Sequence, residues 1–329
     1  MSAPNDEDLP LRPPADSNDP CLGPGPGVGG GGAPLFGGRP VDGPAKGGGW
    51  PEVDWSVKVT VPRLRDRKLT GEKIVAITAY DYPTGLAADQ AGVDVILVGD
   101  SLANTALGYE NTLPVSLEEM LVAQRAVKRA VKRAFVVGDM PFGSYQGGET
   151  DALSSAIAFM KAGAEAVKLE GGRKRAALIR RLVENEIPVM GHIGLTPQSI
   201  HAMGGYKVQG KSPEAAADLL ADALELEQAG AFAIVIEGVP SQVAAHITRQ
   251  LEIPTIGIGA GPGCDGQILV ISDLLGLLPG KKPRFARQYL DFHSLAQEAI
   301  QSYRRDILSG EFPSDRESYQ SPEARSVRR

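Results

Sequence analysis

Three stretches of the chain share one pattern: AGVDVILVGD (91–100), AGAEAVKLE (162–170) and AGAFAIVIE (229–237). In each stretch, Ala-Gly closes a helical segment, a short apolar strand follows, and the last residue is an acid. A fourth strand, FVVGD (135–139), ends on an acid without the Ala-Gly lead. Short apolar runs between helices are typical of parallel strands that are covered on both faces. The pattern predicts an α/β fold whose acids meet at the carboxyl edge of one sheet, where ligands bind.

Strand and helix candidates alternate along the middle of the chain. The strand candidates are KIVAITAY (73–80), DVILVGD (94–100), AFVVGD (134–139), EAVKLE (165–170), IPVMGH (187–192), FAIVIE (232–237), IPTIGIG (253–259) and QILVI (267–271). Two helices carry start signals: a capping box of Ser116 with Glu119, and Ser212 followed by Pro213. Eight such βα units predict a (β/α)8 TIM barrel rather than an open sheet.

The two ends of the chain differ in composition from the middle. Residues 1–55 are rich in Gly and Pro, as in GPGPGVGGGG at 23–32. Such a segment buries too little apolar surface to offset its ordering entropy, so we predict a disordered tail. Residues 56–313 form the predicted catalytic barrel. The polar residues 314–329 are predicted to be a flexible C-terminal tail.

Composition excludes several classes of protein. The net charge of −6 argues against a nucleic-acid surface, which needs a basic face. No apolar run approaches the roughly 20 residues that span a bilayer, and the N-terminus resembles neither a secretory signal nor a transit peptide. Cys21 and Cys264 form neither a disulfide framework nor a zinc signature. We therefore expect a cytoplasmic protein that binds neither nucleic acid nor membrane.

Asp100, Asp139 and Glu170 end the predicted strands two, three and four. Adjacent strands lie about 4.8 Å apart, so the three carboxylates are expected to converge and to raise one another's pKa. A divalent cation relieves this repulsion, and Mg²⁺ suits it because it accepts few carboxylates and keeps exchangeable waters. The alternative is that each acid caps the next helix or pairs with an arginine.

Two further charged residues are expected at the same edge. Lys168 lies two residues before Glu170, so both side chains point to the same side of the strand. Lys168 is expected to bind a substrate carboxylate, and a salt bridge to one of the acids is compatible with that role. Glu237 ends the sixth strand across the barrel mouth, where it suits a general base. A structural acid bound to a neighbouring loop is its alternative.

Three polar residues next to these strands are weaker candidates. Ser101 follows the first acid and is placed to ligate or orient a carboxylate. Tyr80 and His192 end the first and fifth strands and are candidates for the pocket wall, although a lone histidine is more often structural. The run GIGAG lacks the G-x-G-x-x-G spacing of a dinucleotide site.

The motifs resemble those of the ketopantoate (3-methyl-2-oxobutanoate) hydroxymethyltransferase family over about residues 59–311. They are ITAYDYPTG, ILVGDSLANTALGYENTLPV, GDMPFGSY, AVKLEGG, VMGHIGLTPQS, GGYKVQG, IEGVP and IGIGAGPGCDGQILV, in family order. The resemblance implies a (β/α)8 barrel of the phosphoenolpyruvate/pyruvate-binding type, often assembled as a homodecamer. It also implies transfer of a one-carbon unit from 5,10-methylenetetrahydrofolate to 3-methyl-2-oxobutanoate, which gives 2-dehydropantoate in pantothenate synthesis.

The resemblance also implies residue roles. The implied ligands of Mg²⁺ are Asp100, Asp139 and Glu170. The implied substrate-binding residues are Asp100, Ser101, Asp139 and Lys168. Glu237 is the implied base. The family often has Cys where this chain has Gly238, which puts no catalytic role in doubt.

The implied chemistry explains these residue types. A 2-oxo acid chelates magnesium, the metal stabilises the enolate that forms when a base removes the C3 proton, and the enolate attacks the folate methylene. Lys168 then compensates charge and is not a nucleophile. Two alternatives remain: another Mg-dependent 2-oxo-acid barrel of the carbon–carbon lyase or phosphonomutase type, or a non-catalytic barrel scaffold. GDS together with E-x-VP and GGYKVQG favours the transferase, and a scaffold predicts a lost acid, of which none is missing.

Overall fold

Eight parallel strands form a closed barrel in the computed structural model, which describes residues 53–280 and 282–319. The strands are β1 (Ile74–Thr78), β2 (Val95–Val98), β3 (Phe135–Asp139), β4 (Ala166–Lys168), β5 (Val189–Gly194), β6 (Ala233–Glu237), β7 (Thr255–Ile258) and β8 (Gly266–Leu269). Each strand pairs with the next along the chain, and β8 pairs with β1. The predicted TIM barrel is confirmed.

Helices precede, connect and follow the strands, and those that connect strands cover the outside of the barrel. They are α1 (Val61–Thr70), α2 (Tyr82–Gln90), α3 (Leu102–Thr105), α4 (Leu117–Ala130), α5 (Glu149–Lys161), α6 (Ala176–Val183), α7 (Ile200–Met203), α8 (Pro213–Gln228), α9 (Ser241–Gln250), α10 (Ile271–Leu275) and α11 (Phe292–Ser309). The capping box of Ser116 is formed at α4, and the Ser212 side chain caps α8. Residues 1–52 and 320–329 lie outside the described residues, so the predictions of a disordered N-terminal and a flexible C-terminal tail stay predictions.

The Ala-Gly pairs of the repeat terminate helices α2, α5 and α8. The glycines, Gly92, Gly163 and Gly230, have φ angles of 79°, 94° and 98°. Glycine adopts these angles without the steric penalty that a Cβ brings, so each helix ends and the chain turns into the next strand. The repeat therefore encodes the helix-to-strand turn of this barrel.

Alternate side chains of each strand fill the inside of the barrel. One core cluster is interior and includes Val95 and Leu97 of β2, with Phe135 and Val137 of β3. Their neighbours Ile96 and Val136 pack against the helices instead. Because the strand period is two residues, positions two beyond an interior residue also face inward. That rule aims Asp139, Lys168, His192 and Glu237 into the barrel mouth.

Two of the acids do not end their strands, which corrects the predicted boundaries. β2 ends at Val98 and β4 at Lys168, two residues before Asp100 and Glu170. The physical reason lies in the backbone hydrogen bonds. The N–H of Asp100 donates to a carboxylate oxygen of Asp139 at 3.0 Å, and that of Glu170 donates to the Tyr145 hydroxyl at 3.2 Å. Side chains of the site replace the strand partners at these positions.

Gly194 at the end of β5 meets the backbone that carries Glu237. Its φ is 90°, and a Cβ there would lie 2.2 Å from the carbonyl oxygen of Glu237. We expect Gly194→Ala to lower the free energy of unfolding by about 2–4 kcal/mol, because the backbone strain of a positive φ adds to the clash with the Glu237 carbonyl. Gly143 is a matched control with a φ of 91° and open space around it. Gly143→Ala should cost only about 1 kcal/mol. Urea denaturation measures the stability of both variants. Equal losses in Gly194→Ala and Gly143→Ala would contradict the steric clash.

Helix α11 stands apart from the barrel core. It has no buried residue, and its large apolar side chains are exposed: Phe292, Ile300, Tyr303, Ile307 and Leu308. Within residues 53–280 and 282–319, no helix combines the length and apolar character needed to cross a membrane. An exposed apolar face of this kind marks a surface that another protein can cover.

Candidate active site

A cavity of about 470 Å³ opens at the carboxyl end of the strands. Seven of the eight predicted site residues line it: Asp100, Ser101, Asp139, Lys168, Glu170, His192 and Glu237. The exception is Tyr80. Ligands of (β/α)8 enzymes bind at this end of the barrel, so the cavity is the candidate active site.

Lys168 and Asp139 form the buried centre of the charged cluster. The ammonium Nζ lies 2.7 and 2.8 Å from the two carboxylate oxygens of Asp139, and 3.8 Å from Glu170 Oε1. Both side chains are almost fully buried. The salt bridge anticipated for Lys168 is therefore present, whereas its contact with substrate stays a prediction.

Gln198 joins the other two acids of the cluster. Its side-chain amide donates to Asp100 Oδ2 at 2.9 Å and to the Met140 carbonyl at 3.0 Å. Its backbone N–H donates to Glu170 Oε2 at 2.9 Å. The Tyr145 hydroxyl donates to the amide oxygen of Gln198 and accepts from the Glu170 backbone. These bonds fix the directions of both carboxylates.

His192 lies between Glu170 and Glu237. Its Nδ1 is 3.3 Å from Glu170 Oε1, and its Nε2 is 3.3 Å from Glu237 Oε2. Burial and Lys168 lower the pKa of His192, but the two glutamates outweigh them and raise it to about 9. Unlike Glu170, Glu237 is partly exposed to the cavity, with 16% of its side chain accessible. Glu237 is thus separated from the acid cluster by one imidazole ring.

Tyr80 does not line the cavity, so the structure does not place it in the pocket wall. Its hydroxyl lies 2.8 Å from Ser101 Oγ and accepts a hydrogen bond from Thr78 Oγ1 at 2.9 Å. Burial raises the pKa of Tyr80, which keeps the phenol neutral. Tyr80 therefore holds the Ser101 hydroxyl from behind.

The charges in the cluster shift one another's protonation. Burial raises the pKa of Asp100 well above its usual range, and the charges of Asp139 and Glu170 raise it further. Burial alone would lower the pKa of Lys168, but the three carboxylates hold it above its ordinary value. Burial likewise opposes ionisation of Glu170, yet His192 and Lys168 lower its pKa. The cluster has more acids than its single lysine neutralises.

The chemistry of these donors fits a magnesium ion. Carboxylate oxygens are the ligands that Mg²⁺ prefers, and Glu170 Oε1 is buried without a hydrogen-bond partner. The carboxylates are not grouped as a ready-made site, since no set of three acidic, His or Cys side chains in residues 53–280 and 282–319 has that geometry. Instead, Lys168 pairs with Asp139, and Gln198 donates hydrogen bonds to Asp100 and Glu170. The three-acid metal site stays a prediction.

Two polar residues of the site, Tyr145 and Gln198, were missed at the sequence level. Both lie inside motifs that carry the family resemblance, GDMPFGSY and GHIGLTPQS. A signal was available for Gln198, because TPQ begins four residues after the end of a predicted strand, at the ligand-binding edge. Tyr145 had no such signal, since its hydroxyl reaches the site from within a loop. Gly238, at the position where the resemblance implies Cys, has a φ of 56°.

Comparison with known proteins decides the family. A family profile described as ketopantoate hydroxymethyltransferase matches residues 58–315. The chain belongs to the ketopantoate hydroxymethyltransferase family. The 3-methyl-2-oxobutanoate hydroxymethyltransferase of Koribacter versatilis is 54% identical over 82% of this chain and 92% of its own. That of Carboxydothermus hydrogenoformans is 54% identical over 80% of this chain and 95% of its own.

Solved structures support the fold class. A phosphonopyruvate hydrolase complex with oxalate and Mg²⁺ has a TM-score of 0.52 at 15% identity, covering 78% of this chain and 92% of that one. A 2,3-dimethylmalate lyase, described as a member of the PEP mutase/isocitrate lyase superfamily, has a TM-score of 0.51 at 17% identity. It covers 80% of this chain and 92% of its own. These likenesses show the barrel fold.

Proposed function

We propose that the protein transfers the one-carbon unit of 5,10-methylenetetrahydrofolate to 3-methyl-2-oxobutanoate and forms 2-dehydropantoate. The observation that carries this proposal is one cavity with a buried acid–lysine cluster and, one imidazole away, a separate carboxylate on β6. Such a site can bind an anionic oxo acid and remove a proton from it. The family to which the chain belongs supports the choice of reaction.

Glu237 is the proposed base for the C3 proton of the oxo acid. It is the least buried acid beside His192, and it lies on β6, opposite β2 in the eight-stranded barrel. Removal of the proton leaves a carbon nucleophile that forms a C–C bond with the folate methylene while a C–N bond of the folate breaks. Water then replaces the remaining folate nitrogen on that carbon as the second C–N bond breaks, so its oxygen becomes the new hydroxyl. Tetrahydrofolate leaves with two N–H protons, equal in number to the one lost from C3 and the one lost from water.

Lys168 and Ser101 are proposed to bind the substrate, together with Asp100 and Asp139. The Lys168 ammonium offsets the negative charge that the carboxylate of the oxo acid adds to the acid cluster. Ser101, held by Tyr80, presents a hydroxyl to that carboxylate. His192 is proposed to orient Glu237 and Glu170 rather than to react, because both its nitrogens face these acids.

Asp100, Asp139 and Glu170 are the proposed ligands of a magnesium ion. What bound magnesium supplies is Lewis acidity toward the keto and carboxylate oxygens of the oxo acid. We expect Asp100→Ala to weaken Mg²⁺ binding at least about 10-fold, while Asp66→Ala on the exposed face of α1 leaves it unchanged. Calorimetric titration of the metal-free proteins measures both. Wild-type affinity in Asp100→Ala would remove Asp100 from the ligand set.

The test of the function is an assay of the purified full chain. 3-Methyl-2-oxobutanoate, 5,10-methylenetetrahydrofolate labelled with carbon-13 in the methylene, and magnesium are mixed, and mass spectrometry follows the product. Labelled 2-dehydropantoate should form, stop with a chelator and resume on adding magnesium. Turnover of the oxo acid without folate would favour a lyase instead. Absence of any turnover would favour a non-catalytic scaffold.

A homo-oligomer, a decamer by family resemblance, is also proposed. Its support is the exposed apolar face of α11, which includes Ile300 and Leu308. Light scattering on the full chain gives the assembly size. The cytoplasmic location stays a prediction from sequence.

A further inference from the structure

The active-site cavity has a second polar wall that the proposed roles leave unused. Ser272 and Asp273 on α10 line the same cavity as the acid cluster. α10 follows β8, and β8 lies across the barrel from β4, which carries Lys168. The cavity volume of about 470 Å³ falls in the range of about 300–1,000 Å³ that is typical of drug-sized ligands. A five-carbon oxo acid at the acid cluster leaves this opposite wall free.

The Ser272 hydroxyl is a buried polar group without a partner. Ser272 is 3% exposed, and its Oγ makes no hydrogen bond within the described residues. Buried hydroxyls in folded proteins nearly always have a partner, so an unpaired one that lines a cavity is available to bond to a ligand there.

The neighbouring carboxylate of Asp273 is also unpaired. It accepts no hydrogen bond and forms no ion pair with residues 53–280 or 282–319. The ammonium of Lys282 donates instead to Gln288 Oε1 at 2.7 Å and to the Asp273 backbone carbonyl at 3.4 Å. Burial raises the pKa of Asp273, and Lys282 lowers it. The Asp273 carboxylate therefore lines the cavity without a donor among the described residues.

Apolar side chains flank this polar pair. Leu278, Pro283 and Phe285 line the same end of the cavity. The Phe285 ring packs on Gly259, where a Cβ would lie 2.7 Å from it, and the residue remains 39% exposed. One part of the ring thus packs against the residue that follows β7, and the rest of the ring is accessible. An aromatic ring beside two unpaired polar groups suits a flat heterocycle with a polar edge.

We propose that Asp273 and Ser272 bind the 2-amino-4-oxo edge of the reduced pterin of the folate donor, with Phe285 against its ring. The inference rests on the proposed function, which supplies the folate. The pterin N3–H and 2-amino group are two parallel donors, and a carboxylate accepts such a pair through both its oxygens. The Ser272 hydroxyl donates to the 4-oxo oxygen. This places the folate on the β8 side and the oxo acid on the β2–β4 side.

Steady-state kinetics of the full chain test this assignment. Asp273→Asn should raise the KM for 5,10-methylenetetrahydrofolate at least about 10-fold, since an amide nitrogen replaces one acceptor. The KM for 3-methyl-2-oxobutanoate should change less than about twofold. Folate-independent exchange of its C3 proton should stay at the wild-type rate. Asp66→Asn, an exposed change on α1, is the matched control and should leave all three unchanged.

A pterin analogue without the 2-amino group separates recognition from a structural effect. 2-Desamino-tetrahydrofolate should inhibit the wild type about 10-fold more weakly than tetrahydrofolate does, and Asp273→Asn should lose most of that difference. If Asp273→Asn does not fold, Ser272→Ala should still raise the folate KM severalfold. An unchanged folate KM in an active variant, or undiminished discrimination, would overturn the assignment. Wild-type protein that forms no product would instead refute the proposed function.

Discussion

Glu237→Gln should lower kcat for 2-dehydropantoate formation by about 10²–10⁴-fold, the usual contribution of a positioned general base. The amide keeps the size of the side chain and its place next to His192, 3.3 Å away, but it cannot accept a proton. Binding of 3-methyl-2-oxobutanoate and of magnesium should stay near wild-type values, because Glu237 is separated from the acid cluster by His192.

The matched control for this change is Glu252→Gln. Glu252 is an exposed acid that precedes β7, and its substitution should leave kcat unchanged. Rapid-quench or steady-state assays give kcat, and calorimetry gives the binding of the oxo acid. A fall in kcat of less than about tenfold would exclude Glu237 as the base. If Glu237→Gln lost binding of the oxo acid but kept the wild-type kcat, Glu237 would be a substrate ligand.

Lys168→Met should lower the free energy of unfolding by about 3–5 kcal/mol, because removing one partner of a buried ion pair leaves the other charge uncompensated. Here the charge left behind is that of Asp139, whose two oxygens lie 2.7 and 2.8 Å from the ammonium. Asp100 and Glu170 add to the repulsion. Lys168→Met combined with Asp139→Asn should recover part of the loss, since the second change removes one of the stranded charges.

Lys161→Met, an exposed change near the end of α5, controls for the loss of a lysine and should cost less than about 1 kcal/mol. Urea denaturation in the absence of magnesium measures all three variants. If Lys168→Met lost no more stability than Lys161→Met, the ion pair would not be a stabilising element of the cluster.

The fold was predictable because the sequence repeats its local signals. The Ala-Gly turns mark where a helix gives way to a strand, and the short apolar runs mark buried parallel strands. Strand ends were less predictable. Asp100 and Glu170 lie beyond their strands because their backbone N–H groups donate to side chains. A pattern of apolar residues does not predict such hydrogen bonds.

The candidate site was predictable as a set of acids and one lysine at one edge of the barrel, and strand alternation aims Asp139, Lys168 and Glu237 inward. The hydrogen bonds and ion pairs that these side chains form were not predictable. Gln198 bonds to Asp100 and Glu170 from a loop after β5, and loop geometry sets those distances. The place of Tyr80 behind Ser101 likewise depends on side-chain direction rather than spacing. Family resemblance supplied the reaction, and the comparisons confirm the family.

Exchange of the C3 proton of 3-methyl-2-oxobutanoate with deuterated water tests the central claim most directly. The claim is that the acid cluster and Glu237 together convert the oxo acid into a carbon nucleophile. Proton NMR should show exchange by the wild type with magnesium and without folate, and no enzyme-catalysed exchange by Glu237→Gln. Exchange at the wild-type rate in Glu237→Gln, or none in a wild type that forms product, would contradict it.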